Sequence, residues 1–134
     1  MRRGFLRPRG RSVKTGSKIG RGDMTETAAF KADEVAWQPH PMAEGFEIKV
    51  LAHKPDTKVK VQLVRARKGA VLAEHTHDTE DIFYVLDGGA TIWIEGKGDI
   101  PLSRGMVIRV PKDAVHKVYN ISDQGYLVLD MFVP

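Results

Sequence analysis

The chain has 134 residues, a hydrophobic content of 42% and no cysteine, which fits one domain with one core and excludes disulfides, thiolate metal sites and a cysteine nucleophile. No run approaches the roughly 18 consecutive apolar residues of a membrane-spanning helix, and the N-terminus lacks the apolar stretch of a secretory signal. The net charge of +4 is unevenly placed: residues 1–22 carry eight Lys or Arg and no acid, whereas the remainder carries thirteen bases against seventeen acids.

In chain order, residues 1–23 read as a basic flexible arm rich in Arg, Gly and Ser, with few large apolar side chains to bury. Such an arm fits a segment upstream of a start at Met24, an organelle-targeting leader, or an arm for nucleic acid or an anionic membrane. The absence of aromatic interleaving argues against nucleic acid as a partner, and nothing points to a membrane, so a cytoplasmic protein is expected. Residues 24–45 form an extended lead-in, where Pro39 and Pro41 oppose a helix.

From residue 46 to 134, short segments rich in Val, Ile and aromatics alternate with Gly, Pro, Asp and Lys, which predicts an all-β domain. Strands are expected over 46–52, 58–66, 70–75, 81–87, 90–96, 105–111, 114–120 and 126–133, enough for a small barrel or jelly roll. In KVKVQLV, Val59, Val61 and Leu63 share one face and Lys58, Lys60 and Gln62 the other, the pattern of a half-buried strand. The LDGG segment predicts a tight turn at Gly88 and Gly89 between two strands. KGD at 97–99 predicts the next turn.

The stretch EHTHDTED concentrates the chemistry. His75 and His77 are two residues apart, so on an extended segment both imidazoles leave one face and can meet one ion. Asp81 keeps that parity if the strand runs unbroken, while Glu80, Ile82 and Tyr84 take the opposite face; a bulge at 78–80 weakens the argument. His116 lies far along the chain and joins the pair only by folding. His40 and His53 have no such company and read as surface or packing residues.

These residues resemble the two motifs of the cupin superfamily, and more narrowly the small single-domain cupins with a conserved metal-binding barrel. The spacing Gly69, His75, His77, Asp81, Gly88 resembles the first motif, with Asp81 where the family carries Glu. Gly105, Pro111, His116 and Asn120 resemble the second, with Asp113 where a Gly is usual. The resemblance covers about residues 46–133 and implies a small jelly-roll barrel with a metal in its mouth, held by His75, His77, Asp81 and His116. It implies a structural role for Asn120 and strand-end or turn roles for Gly69, Gly88, Gly105 and Pro111. Because Asp is one methylene shorter than Glu, Asp81 has three options: direct ligation after a backbone shift, ligation through water, or no ligation. The competing reading of the three histidines is a packed set without metal.

A site of three imidazoles and a carboxylate suits one divalent transition metal such as Mn, Fe, Zn or Ni. The leading expectation is a metal-dependent dioxygenase acting on a small chelating carbonyl, enol or phenol. Two alternatives are a non-redox isomerase, lyase or cyclase, and a binding or sensing module without turnover. The stretch from Trp37 to Leu51 resembles the lead-in of a cupin subgroup that includes acetophenone-cleaving dioxygenases and anti-sigma-factor domains. For the non-redox alternative no base stands out, since Tyr84 and Glu80 face away and Asp113 is placed near His116 only by sequence. A homodimer is expected because exposed sheet edges need covering.

Overall fold

The structure, a computed structural model, describes residues 28–134; the basic arm lies outside the described residues. The described residues fall into two units divided after Val35, the second being Ala36–Pro134. The described part of the first holds a single 3-10 turn, Ala32–Glu34. The second is built from nine strands: β1 (Gln38–Pro39), β2 (Phe46–Lys54), β3 (Val59–Ala66), β4 (Leu72–His75), β5 (Glu80–Ile94), β6 (Gly98–Ser103), β7 (Val107–Val110), β8 (His116–Tyr119) and β9 (Tyr126–Val133).

The architecture turns on β5, whose 15 residues serve two sheets. Its first half lies between β9 and β7, and its second half between β6 and β8. The larger sheet continues from β9 through β3 and β2 to β1, and the smaller ends on β4 beside β8. All these pairings are antiparallel, so every strand alternates an inner and an outer face. The inner faces enclose a core in which Phe46, Val85, Ile92, Ile94 and Val110 are the most deeply buried large side chains. Burying each such side chain stabilises the fold by roughly 1.5–3 kcal/mol.

The predicted turn at LDGG is corrected by β5, which runs straight through it. The register against β9 slips between Val85 and Asp87, so this is a bulge inside one long strand and not a hairpin. A glycine pair signals either feature, because both need a residue with positive φ. Gly88 has φ +70°, and a Cβ there would collide with the backbone carbonyl of Gly125. The bulge reverses parity: Asp81, Phe83 and Val85 point inward before it, and Ala90, Ile92 and Ile94 after it.

Two further differences concern strands. GDIPLS forms β6, although its Gly and Pro read as punctuation. On β3 the alternation holds, and the inner face is the one with Gln62, since Gln62, Val64 and Ala66 are buried while Val61 and Leu63 are half-buried. A barrel with a polar cavity can turn a lysine and a glutamine inward, and valines on the outer face then belong to a second, partly covered surface.

Candidate metal centre

His75 and His116 are direct cross-strand partners on β4 and β8, with ring centroids 4.2 Å apart. His75 Nδ1 lies 2.7 Å from the Ala73 carbonyl and His116 Nδ1 2.9 Å from the Ala114 carbonyl. A carbonyl only accepts, so Nδ1 carries the proton in both rings and Nε2 keeps a free lone pair, as a metal ligand requires.

His77 stands just beyond β4, in the turn before β5, so it is not held by the strand parity that the sequence suggests. Its carbonyl accepts the Asp113 N–H at 2.9 Å, which ties it to the loop leading to His116. Its ring sits 4.8 Å from that of His75, 5.2 Å from that of His116 and edge-on to Phe132 at 4.9 Å. One nitrogen from each of the three rings falls within 4.8 Å of the other two. Two donors bound at about 2.1 Å to one ion lie at most about 4.2 Å apart, so a small ring rotation closes the set.

The electrostatics favour the neutral ligand form. Burial, then repulsion from His75, His116 and Lys60, holds the His77 pKa down to about 4. Burial likewise lowers that of His116, against an opposing hydrogen bond to Ala114. Neutral imidazole is the form that binds metal.

Asp81 is only 4% exposed and points inward from β5. Its Oδ2 lies 3.8 Å from His77 Nε2, within reach of an ion at the triad, yet its carboxyl also hydrogen-bonds that of Asp130 on β9. Gln62 Nε2 donates to Asp130 Oδ2 at 3.3 Å. Asp81 Oδ1, Asp130 Oδ1 and Gln62 Oε1 are buried with no hydrogen-bond partner among the described residues. Orphaned buried oxygens beside three bare imidazole nitrogens fit a bound cation and its ligands, since such groups are costly left unpaired. Burial is the first cause raising the pKa of both carboxyls. Two adjacent buried carboxyls do not both ionise, so the pair holds a proton when no cation is bound.

Glu80 faces outward, as parity predicts, and binds Arg109 Nη2 at 2.6 Å. Asn120 donates to Thr91 Oγ1 at 3.2 Å, in keeping with a structural role. His53 is exposed. His40 proves closer to the site than its sequence suggests: its Nδ1 accepts the Met42 N–H at 3.0 Å, and its ring lines the cavity that the triad opens onto.

That cavity has a floor of Phe83, Val128 and Tyr126 and contains both carboxyls. It offers about 60 Å³ for the centre of a water-sized sphere, room for an ion with a small ligand group. A second pocket of about 320 Å³, here the vestibule, shares His77 and Phe132 with it. Sequence reading passed over Asp130, Gln62 and Lys60. The available signal was Asp130 itself, a lone acid in YLVLDMFV on the same parity as Tyr126, Val128 and Phe132.

Comparison with solved structures places the barrel among many relatives. KdgF from Halomonas sp. is 26% identical over 78% of this chain and 94% of its own, with a TM-score of 0.64. The polyketide cyclase RemF from Streptomyces resistomycificus is 18% identical, covering 80% of this chain and 79% of its own with a TM-score of 0.69. An RmlC-like cupin from Shewanella frigidimarina is 19% identical, covering 81% and 92% with a TM-score of 0.67. No curated protein matches the chain. The family model described as the cupin domain matches residues 62–132, which take in the histidine triad and both buried carboxyls. The match spans more than half of the 134 residues, and the chain belongs to the cupin family.

Proposed function

We propose that this cupin is a metal-dependent enzyme that moves a proton on a small carbonyl or enol substrate, as an isomerase, lyase or cyclase does, without consuming oxygen. Asp130 carries this reading. It supplies what the sequence alone lacked, a proton-handling group inside the cavity, buried, with one oxygen free.

His75, His77 and His116, with Asp81 in reach, would hold a divalent metal, which would supply Lewis-acid polarisation of a substrate oxygen. The protein does the rest. Gln62 fixes Asp130 through Oδ2, which leaves Oδ1 as the atom that gives or takes the proton. The Asp81–Asp130 pair stores that proton, and its raised affinity brings the acid nearer the working pH of a catalyst. Phe83 and Val128 line the cavity and limit water at the reacting carbon. The barrel of RemF serves a polyketide cyclase; at 18% identity that likeness supports the fold, and the proton chemistry here rests on Asp130.

A second reading follows from the donor set. Three imidazoles with a carboxylate in reach suit iron or manganese as well as zinc or nickel, so a dioxygenase acting on a chelating carbonyl, enol or phenol is the competing proposal.

The test is solvent deuterium exchange into the α-carbon of a panel of β-diketones and 2-oxo acids, followed by NMR without oxygen on protein loaded with Zn or Mn. Exchange that disappears in Asp130→Asn with metal content intact supports proton transfer. Oxygen uptake by the Fe or Mn protein without anaerobic exchange supports the dioxygenase, and saturable binding with neither reaction makes the chain a sensing module. We also propose a homodimer, supported by two exposed apolar side chains, Tyr84 and Val107, side by side on the outer face of the larger sheet.

A further inference from the structure

The vestibule shares His77 and Phe132 with the cavity, which puts room for the far end of an organic substrate next to the metal-binding triad. The vestibule wall combines His53, Pro55 and Phe132 with two lysines, Lys58 and Lys60. Lys58 is engaged, with its Nζ 2.7 Å from Asp78 Oδ2. Lys60 has no carboxylate within ion-pair distance among the described residues. Its ammonium lies 5.0 Å above the Phe132 ring, and the other end of that contact chain is His77, 4.9 Å from the same ring. One aromatic ring therefore separates a free cation from the metal-binding triad. The backbone accounts for this placement: Lys60 shares its inner-face parity on β3 with Gln62, and its register partner on β9 is Phe132 itself. Its charge is felt inside the cavity, at His77, Asp81 and Asp130.

We propose that Lys60 is a specificity residue that binds a carboxylate at the far end of the substrate while the near end meets the metal. This rests on the metal-dependent reading given above and adds the substrate class to it, a carbonyl or enol compound bearing a carboxylate a short carbon chain away. One ammonium matches one carboxylate. A dianionic phosphate group would be left half neutralised, with the Asp78 carboxylate also on the vestibule wall. Phe132 beneath the ammonium provides an apolar surface for the intervening carbons and lowers the local dielectric, which strengthens the ion pair.

The test compares two ligands that chelate alike and differ by one charge: 4,6-dioxoheptanoate, a β-diketone with a distal carboxylate, and its methyl ester. Affinities are measured on the full-length protein loaded with Co(II), from the visible spectrum of the metal. The wild type should bind the acid about tenfold or more tighter than the ester, in line with an interaction between charged partners. Lys60→Gln should bring the ratio close to one while leaving ester affinity and metal content unchanged, and Lys60→Arg should keep the preference. Lys60→Arg also serves if Lys60→Gln fails to fold. A wild-type ratio near one, or a ratio unchanged in Lys60→Gln, overturns the role of Lys60 and leaves the metal reading intact. Failure of the protein to take up Co(II), or of both ligands to perturb its spectrum, overturns the metal reading and this inference with it.

Discussion

The carboxyl groups of Asp81 and Asp130 meet between β5 and β9, hydrogen-bonded to each other with their remaining oxygens unpaired inside the barrel. The fold keeps a proton on this pair that the unfolded chain, with an ordinary carboxylate pKa of about 3.9, releases in mild acid. Stability of the metal-free protein is therefore present at low pH and is lost as pH rises toward the raised folded value, with a slope of about 1.4 kcal/mol per pH unit for each proton retained. Asp81→Asn removes the second acid and keeps a hydrogen-bond donor for Asp130. Urea unfolding between about pH 7.5 and 9, above the ordinary imidazole range, should show a flatter decline for Asp81→Asn than for wild type. Parallel curves would mean that the pair is not protonated.

On the acid side His77 acts with the opposite sign. Its folded pKa is depressed to about 4, against about 6.5 in the unfolded chain. Its contribution is complete above about pH 6.5 and disappears as pH falls toward 4. The carboxyl pair opposes this trend in the same window, so the informative quantity is a difference. Wild type should lose stability relative to His77→Gln as pH falls from 6.5 to 4, and a constant difference would contradict the depressed pKa.

Much of the site was legible in the sequence because its histidines announce themselves by spacing. His75 and His77 share a motif, and His116 follows the second one. The inward parity of Asp81 was legible too. Asp130 was not, because an acid within YLVLDMFV becomes a buried carboxyl only when β9 pairs with β5 and brings it beside Asp81, which local periodicity cannot encode. The places of most strands were readable from β-branched residues, but the spans expected over 70–75, 105–111 and 114–120 are longer than β4, β7 and β8. The turn at Gly88 was misread because a bulge and a hairpin make the same local demand on φ. The two faces of β3 were legible, but not which one is inner, because hydrophobic alternation identifies two faces without saying which one looks into a polar cavity.

The proposed metal centre predicts a simple stoichiometry. Protein prepared without a histidine tag should carry about one divalent ion per chain by elemental analysis, the capacity of one donor set. His75→Ala and His116→Ala each delete one of three convergent donors and should reduce the content to near zero. Retention of metal in both variants would place the ion elsewhere.

Tyr84 and Val107 are cross-strand neighbours on the outer side of the larger sheet, 41% and 61% exposed. A charge introduced there should oppose burial in a subunit interface. Wild type at micromolar concentration should sediment as a dimer and Val107→Lys as a folded monomer. A monomeric wild type would sink the proposed assembly.

Gly88→Ala should be among the most damaging single-methyl additions in the barrel. It combines a φ of +70° with a collision against the Gly125 backbone, where neither partner is a flexible side chain. A loss of at least about 2 kcal/mol is expected from strain and overpacking together, read as a lower urea midpoint. A loss below about 0.5 kcal/mol, typical of an indifferent surface change, would show that the bulge relaxes freely.

Because one strand serves both sheets, the donors depend on a single continuous piece of backbone. Asp81 leaves its first half, and its far end at Ile94 pairs with His116. Neither sheet alone assembles the site, and most of the pairings that build it join residues distant in sequence, the topology associated with slow folding. His75 lies on β4, the strand at the end of the smaller sheet, so an ion bound there should hold that edge to the rest of the barrel. A tightly bound ion would then act as an equilibrium clasp, stabilising the barrel in proportion to the logarithm of its free concentration.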